Sequence, residues 1–218
     1  MKKFILPLLL LLAVGMLAAV ESDPSAVVGY VKYDIVSGNS MVALPMDTSL
    51  ALAGDVGALV GATTVSYWDN DAQAFVAAEY IDWMGDWDNN FAVTNGMALL
   101  VYSDAPTADF YSIGALPIAN PTYPIVAGNS MLMIPLDRSD LAFAGMVGTE
   151  AGATTVSYWD TDAQAFVASE YIDWMGDWDN NFATTIGNPL MVYSAEGGVT
   201  FPAPPARTSN TSRHKYNK

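Results

Sequence analysis

The sequence has no cysteine, one histidine and few basic residues. The absence of cysteine excludes disulfides, thiolate catalysis and cysteine-ligated metal sites. The single histidine, His214, lies outside the repeated part of the chain, which leaves little room for imidazole acid–base chemistry. Eight Lys and Arg against 23 Asp and Glu give a formal net charge of −15. Because nucleic-acid binding needs cations that neutralise phosphates, we expect no nucleic-acid partner.

The N-terminal segment has the pattern of a secretory signal peptide. A basic head, Met1-Lys2-Lys3, precedes the apolar run Phe4–Ala19, and a polar, acidic stretch follows. The apolar run is shorter than the ~20 residues that a spanning helix needs. The sequence therefore predicts a signal peptide at 1–19, a short linker at 20–26 and a mature chain without a membrane span. We expect a secreted, extracellular or cell-surface location, with the periplasm as the other compartment that this signal allows.

The rest of the chain is one unit written twice. Ala62–Ala92 and Ala153–Ala183 are identical at 29 of 31 positions, and the similarity extends to Phe110 and Phe201. This duplication predicts module 1 at 27–113 and module 2 at 114–201. Residues 202–218 depart from the repeat, and we expect a Pro-rich, then basic, disordered tail there.

Each unit has the pattern of a small β-rich module. The alternating segment Ser40–Met46 predicts a strand, and Pro45 places it at a sheet edge or ends it. Two β-prone runs, Thr63–Trp68 and Ala74–Tyr80, flank the turn-forming Asp69–Ala72 and predict a hairpin. A free edge strand is also a surface with which a second chain can pair.

A short helix and a long loop complete the predicted unit. Ser139-Asp140-Leu141 is typical of a helix start, and we expect Gly145 and Gly148 to limit the helix length. Asp82–Asn90 is predicted to be a long loop. The fold class is therefore mainly β, with two tandem homologous modules of about five strands and one short helix each.

Three sequence blocks carry a resemblance to a known group. Val27–Tyr33 reads VVGYVKY, Gly38–Asp47 and Gly128–Asp137 share GNSMxxxPxD, and Thr64–Asp69 recurs as TVSYWD. In these blocks the chain resembles uncharacterised secreted tandem-repeat proteins of bacteria. The resemblance implies units that end in a β-strand and arrays of two or more modules, and it implies no activity.

The acidic part of the repeat suggests calcium as the one candidate cofactor. Carboxylate and amide oxygens at alternating positions are ligands that Ca²⁺ accepts, although the EF-hand pattern is absent because Phe91 and Met97 replace the required Gly and Glu. The alternative is an Asx-rich loop that caps its own backbone. The candidate metal ligands are Asp82, Asp86, Asp88, Asn90, Asp173, Asp177, Asp179 and Asn181.

The same segment contains aromatic residues suited to sugar binding. Exposed rings beside Asp and Asn hold sugars by stacking and hydrogen bonding. The alternative is that the rings fill the core; at period two, Tyr67 and Trp68 face opposite ways, so we expect one to be core and one exposed. The candidate ligand-binding residues are Trp83, Trp87, Trp174 and Trp178.

An enzyme is the least favoured interpretation. Glu79 with Asp82 is an available carboxylate pair, but its sequence spacing does not indicate the separation that glycosidase chemistry requires. The sequence therefore predicts a non-enzymatic secreted or cell-surface repeat protein with a structural or adhesive role in extracellular assembly. The alternative is a pair of carbohydrate-binding modules that use the loop tryptophans. The expected partners are further copies of the chain or other extracellular proteins, and glycans under the alternative.

Overall fold

The computed structural model describes residues 28–202. The predicted signal peptide, the linker at 20–26 and the tail from residue 203 lie outside these residues. Neither of the two helices in the described part has the length and apolar character that crossing a bilayer requires. The described part is mainly β, and it consists of two modules with the same order of elements, as the duplication predicts.

Module 1 contains seven strands and one helix. Its elements are, in chain order, β1 Val28–Tyr33, β2 Gly38–Ala43, α1 Ala53–Val60, β3 Thr64–Asp69, β4 Ala74–Ile81, β5 Asp86–Asp88, β6 Ala98–Ser103 and β7 Phe110–Ala115. Five strands form an antiparallel sheet in the order β2-β6-β3-β4-β5, and β1 pairs with β7 as a separate ribbon. β7 runs to Ala115, so it extends two residues past the module boundary predicted at residue 113.

Module 2 repeats this arrangement with shorter ends. Its elements are β8 Tyr123–Ile125, β9 Gly128–Met133, α2 Ala144–Ala151, β10 Thr155–Asp160, β11 Ala165–Ile172, β12 Asp177–Trp178, β13 Pro189–Ser194 and β14 Val199–Phe201. The five-stranded sheet has the order β12-β11-β10-β13-β9, and β8 pairs with β14. The estimate of about five strands per module therefore holds for the main sheet and omits the two-stranded ribbon.

Each module has its own apolar core between the sheet and the helix. In module 1, Val42, Leu99 and Val101 point from the sheet toward α1, and in module 2 Leu132, Leu190 and Val192 do the same toward α2. The strand predicted at Ser40–Met46 is β2, an edge strand that stops before Pro45, as the proline indicates. The predicted hairpin is also present, since β3 pairs with β4 and the Asp69 carboxylate accepts hydrogen bonds from the backbone of Asp71 and Ala72.

The predicted helix start at Ser139-Asp140-Leu141 is wrong. The helix α2 begins at Ala144, and Asp140 instead pairs with Arg138. The orphan N–H groups of the first turn find their acceptor elsewhere in the chain, because Gly145 N donates to Asn181 Oδ1 at 2.8 Å. A capping side chain so distant in sequence leaves no local signal.

The glycines of the helices have a role other than the predicted limit on length. A Cβ on Gly54 would lie 2.6 Å from Cδ1 of Trp87, and one on Gly145 would lie 2.7 Å from Cδ1 of Trp178. The small residues therefore form a face on which an indole packs. A glycine in the left-handed conformation follows each helix directly. Gly61 follows Val60 at the end of α1, and Gly152 follows Ala151 at the end of α2.

The predicted long loop at Asp82–Asn90 is also wrong, because it contains a strand. β5 pairs with β4, and only Asp82–Gly85 turn between them. The turn is closed by Met84 N and Gly85 N, which both donate to Ile81 O, and Gly85 adopts a φ of 68°. A glycine at this position permits the left-handed conformation that so tight a reversal requires.

Candidate functional site

Each module presents an exposed tryptophan and methionine at the apex of a hairpin. We name the turns Asp82–Gly85 and Asp173–Gly176 the Trp–Met tips. Trp83 and Trp174 are each 86% exposed, and the adjoining methionines are each 51% exposed. The second tip is closed in the same way as the first, with Met175 N and Gly176 N donating to Ile172 O. Both modules therefore expose a tryptophan side chain to solvent from a turn with the same local geometry.

Trp87 and Trp178, the other two predicted ligand-binding residues, are structural. Each ring is half-buried on the glycine face of its helix. Trp87 also meets Tyr80 edge-on at a centroid distance of 5.7 Å, and Trp178 meets Tyr171 at 5.8 Å. These rings pack against their helices, so the most exposed aromatic surface at each hairpin comes from the tip tryptophan, 86% exposed against 39% for Tyr80 and Tyr171.

The two predicted amide ligands, Asn90 and Asn181, bind the first turn of a helix. Asn90 Oδ1 accepts a hydrogen bond from Gly54 N at 2.8 Å, and Asn181 Oδ1 does the same for Gly145 N. Both amides therefore satisfy the first turn of a helix. This arrangement explains why the segment is rich in Asn without any need for a cation.

The predicted acidic ligands do not converge. Asp86 and Asp177 each accept the N–H of the following tryptophan at 2.8 Å, and Asp179 Oδ1 accepts from Glu170 N at 2.7 Å. Asp82, Asp88 and Asp173 are exposed. Within residues 28–202, no three His, Asp or Glu side chains are grouped closely enough to hold a metal ion. Calcium binding stays a prediction, and the geometry adds no support to it.

Two related clefts lie where the modules meet, and sequence reasoning missed them. The first has a volume of about 240 Å³ and the second about 360 Å³. Equivalent residues from the two copies line them, among which Tyr67, Trp68 and Tyr123 line the first and Tyr158, Trp159 and Tyr33 line the second. The repeated Tyr-Trp pair is the part of these clefts that is visible in the sequence. The clefts themselves form only when one module packs on the other.

The opposite orientations of Tyr67 and Trp68 are confirmed, but neither ring is fully exposed. Tyr67 packs against the core of module 1 and meets Phe91 edge-on at 4.8 Å. Trp68 faces the other module, where its Nε1 donates to Asn129 O at 3.0 Å. Tyr67 is therefore the ring at the core, and Trp68 lies between the modules instead of being exposed.

The charged groups near the second cleft are already paired. Lys32 Nζ lies 2.7 Å from Asp34 Oδ1 and 2.9 Å from Asp109 Oδ2. The Lys32 ammonium holds the pKa of the Asp109 carboxyl below its usual value, and both carboxylates raise the pKa of Lys32. The carboxylate pair considered for catalysis, Glu79 with Asp82, lies exposed on the β4–β5 hairpin and not in either cleft.

Comparison of the chain with protein-family models, with curated proteins and with solved structures finds no match in any of the three. The features with binding chemistry are the two Trp–Met tips and the two clefts between the modules.

Proposed function

We propose that this chain is a non-enzymatic secreted or cell-surface protein with a structural and adhesive role, and that the two Trp–Met tips make its adhesive contacts. The observation that carries the proposal is the equal exposure of Trp83 and Trp174, 86% in each module. The other four tryptophans are half-buried, against a helix or against the other module. The tip tryptophans therefore differ from the other four, whose side chains pack within the structure.

An exposed indole is suited to contact with another surface. Burying an aromatic side chain of this size removes 150–250 Å² from water, at roughly 25 cal/mol per Å² of apolar area. Tryptophan is accordingly enriched among the residues that dominate binding interfaces. The flanking acids, Asp82 and Asp86, are exposed and keep the tip hydrated until a partner covers it.

Two tips on one body allow bivalent contact. When two weak sites engage the same surface, the second binding event is intramolecular, and the overall affinity can exceed that of either site by about 10²–10⁴. A repeated surface such as a polymer, a cell wall or an assembled protein layer offers this geometry. A protein with two equivalent tips is thus better suited to adhesion than to capture of a single soluble molecule.

The experiment compares adsorption of the full chain to surfaces coated with a protein, a polysaccharide and an apolar polymer. We expect Trp83→Ala/Trp174→Ala to weaken adsorption by at least tenfold, and each single variant to lose the avidity of the pair. Tyr30→Ala is the matched control, because Tyr30 is an aromatic residue 67% exposed that lies outside the tips. Adsorption of the double variant equal to that of wild type on every surface would refute the proposal.

Carbohydrate binding is the second candidate, and the pairing of an exposed indole with carboxylates at the tip favours it. Asp82 and Asp86 would accept hydrogen bonds from sugar hydroxyls while Trp83 stacks on the ring. Intrinsic fluorescence during titration with a panel of soluble polysaccharides separates the two candidates. A change that disappears in Trp83→Ala/Trp174→Ala identifies the glycan class, whereas a constant signal with intact adsorption leaves protein or apolar partners.

A further inference from the structure

The surface between the modules is built from contacts that occur in both directions. Gln73 Nε2 donates to Asn129 O at 3.0 Å, and Asn129 N donates to Gln73 Oε1 at 2.7 Å. In the other direction, Gln164 and Asn39 make the same two bonds at 3.0 and 2.7 Å. Each glutamine side chain thus pairs with the backbone of the equivalent strand in the other module.

Two further pairs of bonds obey the same rule. Trp68 Nε1 donates to Asn129 O at 3.0 Å, and its counterpart Trp159 donates to Asn39 O at 2.9 Å. The hydroxyl of half-buried Tyr33 donates to Gly187 O at 2.8 Å, and that of half-buried Tyr123 donates to Gly96 O at 2.7 Å. The modules are therefore related by an approximate two-fold axis, as two subunits of a symmetric dimer are.

These contacts cover the edge strands that were predicted to be free for pairing with another chain. β2 and β9 are edge strands of their sheets, and each pairs with one neighbour only. The bonds to Asn39 and Asn129 therefore fall on the free edges. Because the other module occupies both edges, simple addition of a strand from a second chain is not available there.

The apolar part of this surface differs between the modules. Val42 points to the core, so its neighbour Ala43 points to the other module, and Met133 occupies the equivalent position in module 2. The next pair of equivalent positions, Leu100 and Met191, conserves volume, so the size difference lies at Ala43 and Met133. A second module 1 in place of module 2 would put alanine where the native pairing has Met133, and would remove that side-chain volume from the surface.

The connection between the modules is held mainly by packing, since Pro121 lies against Gly96 of module 1. Residues 116–122 take part in no hydrogen bond in the part of the chain that the structure describes. This linker contains Pro117 and Pro121, and Ile118 is fully exposed to solvent. Proline favours an extended linker, and seven extended residues span at most ~25 Å. A linker of this kind allows module 2 to pack on module 1 of the same chain or on module 1 of a neighbouring molecule.

We propose that the partner of this surface is also a second copy of the chain, with module 1 of one copy paired to module 2 of another through the contacts described above. Such exchange gives closed dimers or, when the pairing continues from copy to copy, open chains. This inference deepens the proposed structural role and depends on that role only for its biological meaning, since the pairing itself does not involve the tips.

Concentration decides which form prevails. A short linker gives the two modules an effective concentration of about millimolar for each other. The closed monomer should therefore dominate at micromolar concentration, and exchange should become substantial only when the chain approaches millimolar concentration, as in a surface layer or matrix. The same interface is formed in either state, so no new contact is needed.

The absence of cysteine allows a direct test with the full chain. One preparation carries Gln73→Cys and a second carries Asn129→Cys, and the two are mixed, incubated at micromolar or near-millimolar concentration and treated with a short bifunctional maleimide. Each chain has a single thiol, so a covalent heterodimer requires module 1 of one copy beside module 2 of another. The reciprocal pair Gln164→Cys with Asn39→Cys repeats the test if one variant fails to fold.

Two mixtures serve as controls. Gln73→Cys with Asn39→Cys reports pairing of two copies of module 1, and Gln73→Cys with Tyr30→Cys reports random collision. We expect covalent heterodimer at least tenfold above both controls near millimolar concentration, and little at micromolar concentration. A yield no greater than that of either control at the higher concentration overturns the proposal. Loss of adsorption in the tip variants would leave this yield unchanged, so the two proposals fail separately.

Discussion

The two modules hold the segment before their helix by different chemistry. In module 1 the Asp55 carboxylate, from the first turn of α1, accepts hydrogen bonds from Ala51 N and Leu52 N at 3.0 and 2.9 Å. In module 2 the equivalent residue is Met146, and Arg138 instead joins Asp140 to Glu150 on α2. Asp140 is the residue that module 2 has gained relative to module 1.

The difference shows which parts of the fold are interchangeable. One carboxylate bonded to the backbone and one arginine between two carboxylates perform the same task, because each ties the loop to the helix. The packing of a tryptophan on the helix glycines is the same in both modules. The shared core packing therefore determines the fold. The segment before the helix tolerates an inserted residue because the arginine contacts replace the aspartate contacts.

The ribbons provide a second contrast. β1 and β7 pair over six residues, whereas β8 and β14 pair over three. The longer ribbon exposes Val28, Tyr30 and Ile113 on its outer face, 71%, 67% and 60% respectively. In both ribbons, however, one phenylalanine of the last strand is completely buried, Phe110 in module 1 and Phe201 in module 2.

The largest predicted effect tests whether the short ribbon is as integral to its module as the long one. Phe110→Ala and Phe201→Ala should each lower the free energy of unfolding by about 3–5 kcal/mol, because each leaves a cavity in a core. Chemical denaturation measures the loss, and Tyr111→Ala, at an exposed site on the ribbon, is the control. A cost below about 1 kcal/mol for Phe201→Ala alone would show that β14 does not stabilise module 2.

An intermediate effect tests the feature that the modules share. Alanine normally stabilises a helix by about 1 kcal/mol relative to glycine. At Gly57 or Gly148, however, a Cβ would collide with the indole of Trp87 or Trp178. We therefore expect Gly57→Ala and Gly148→Ala each to lower the free energy of unfolding by about 1–3 kcal/mol.

The control for these glycine variants is relief of the collision. Gly57→Ala/Trp87→Leu and Gly148→Ala/Trp178→Leu should cost less than the sum of their single changes, as measured by a double-mutant cycle in thermal or chemical unfolding. Strictly additive costs would mean that the glycines are required for a reason other than the approach of the indole.

The smallest predicted effect concerns the contacts that differ. The Arg138 guanidinium holds the pKa of the Asp140 carboxyl below its ordinary value of about 3.9. A lowered pKa in the folded state stabilises the protein above that ordinary value, and this stabilisation is lost as the pH falls through the folded-state pKa. Arg138→Gln should therefore lower the Tm at pH 7, and its difference from wild type should shrink in acid.

Lys32→Gln is the comparison in module 1. Lys32 is more exposed than Arg138, 43% against 20% for the side chains, so solvent screens its ion pairs more strongly. We expect a smaller change in Tm for Lys32→Gln across the same pH series. An equal or larger change would contradict the view that the lower exposure of Arg138 makes its ion pairs the stronger ones.

Much of the local structure could be predicted from the sequence because its causes lie close together in the chain. Pro45 ends an edge strand since proline has no N–H for the ladder, and Asp69–Ala72 forms a turn since the Asp69 side chain bonds nearby backbone. The helix start was misplaced for the opposite reason. Its acceptor, Asn181, lies 36 residues from Gly145, and no local pattern reveals so distant a contact.

The candidate site shows the same division. Composition identified the segment Asp82–Asn90 as rich in Trp, Asp and Asn, but it could not distinguish Trp83 from Trp87. The hairpin turn exposes the first, and the glycines of α1 bury one face of the second. The clefts between the modules were missed because they exist only where two sheets meet.

The sequence by itself determined that the protein is acidic, cysteine-free, mainly β and duplicated, since charge, residue type and a repeat of near identity are properties of the chain alone. Only the tertiary structure decided that the copies form a reciprocal pair and that one tryptophan in each hairpin is free for contact. The physical reason is that burial depends on what packs against a side chain, and here the decisive neighbours belong to a distant helix or to the other copy.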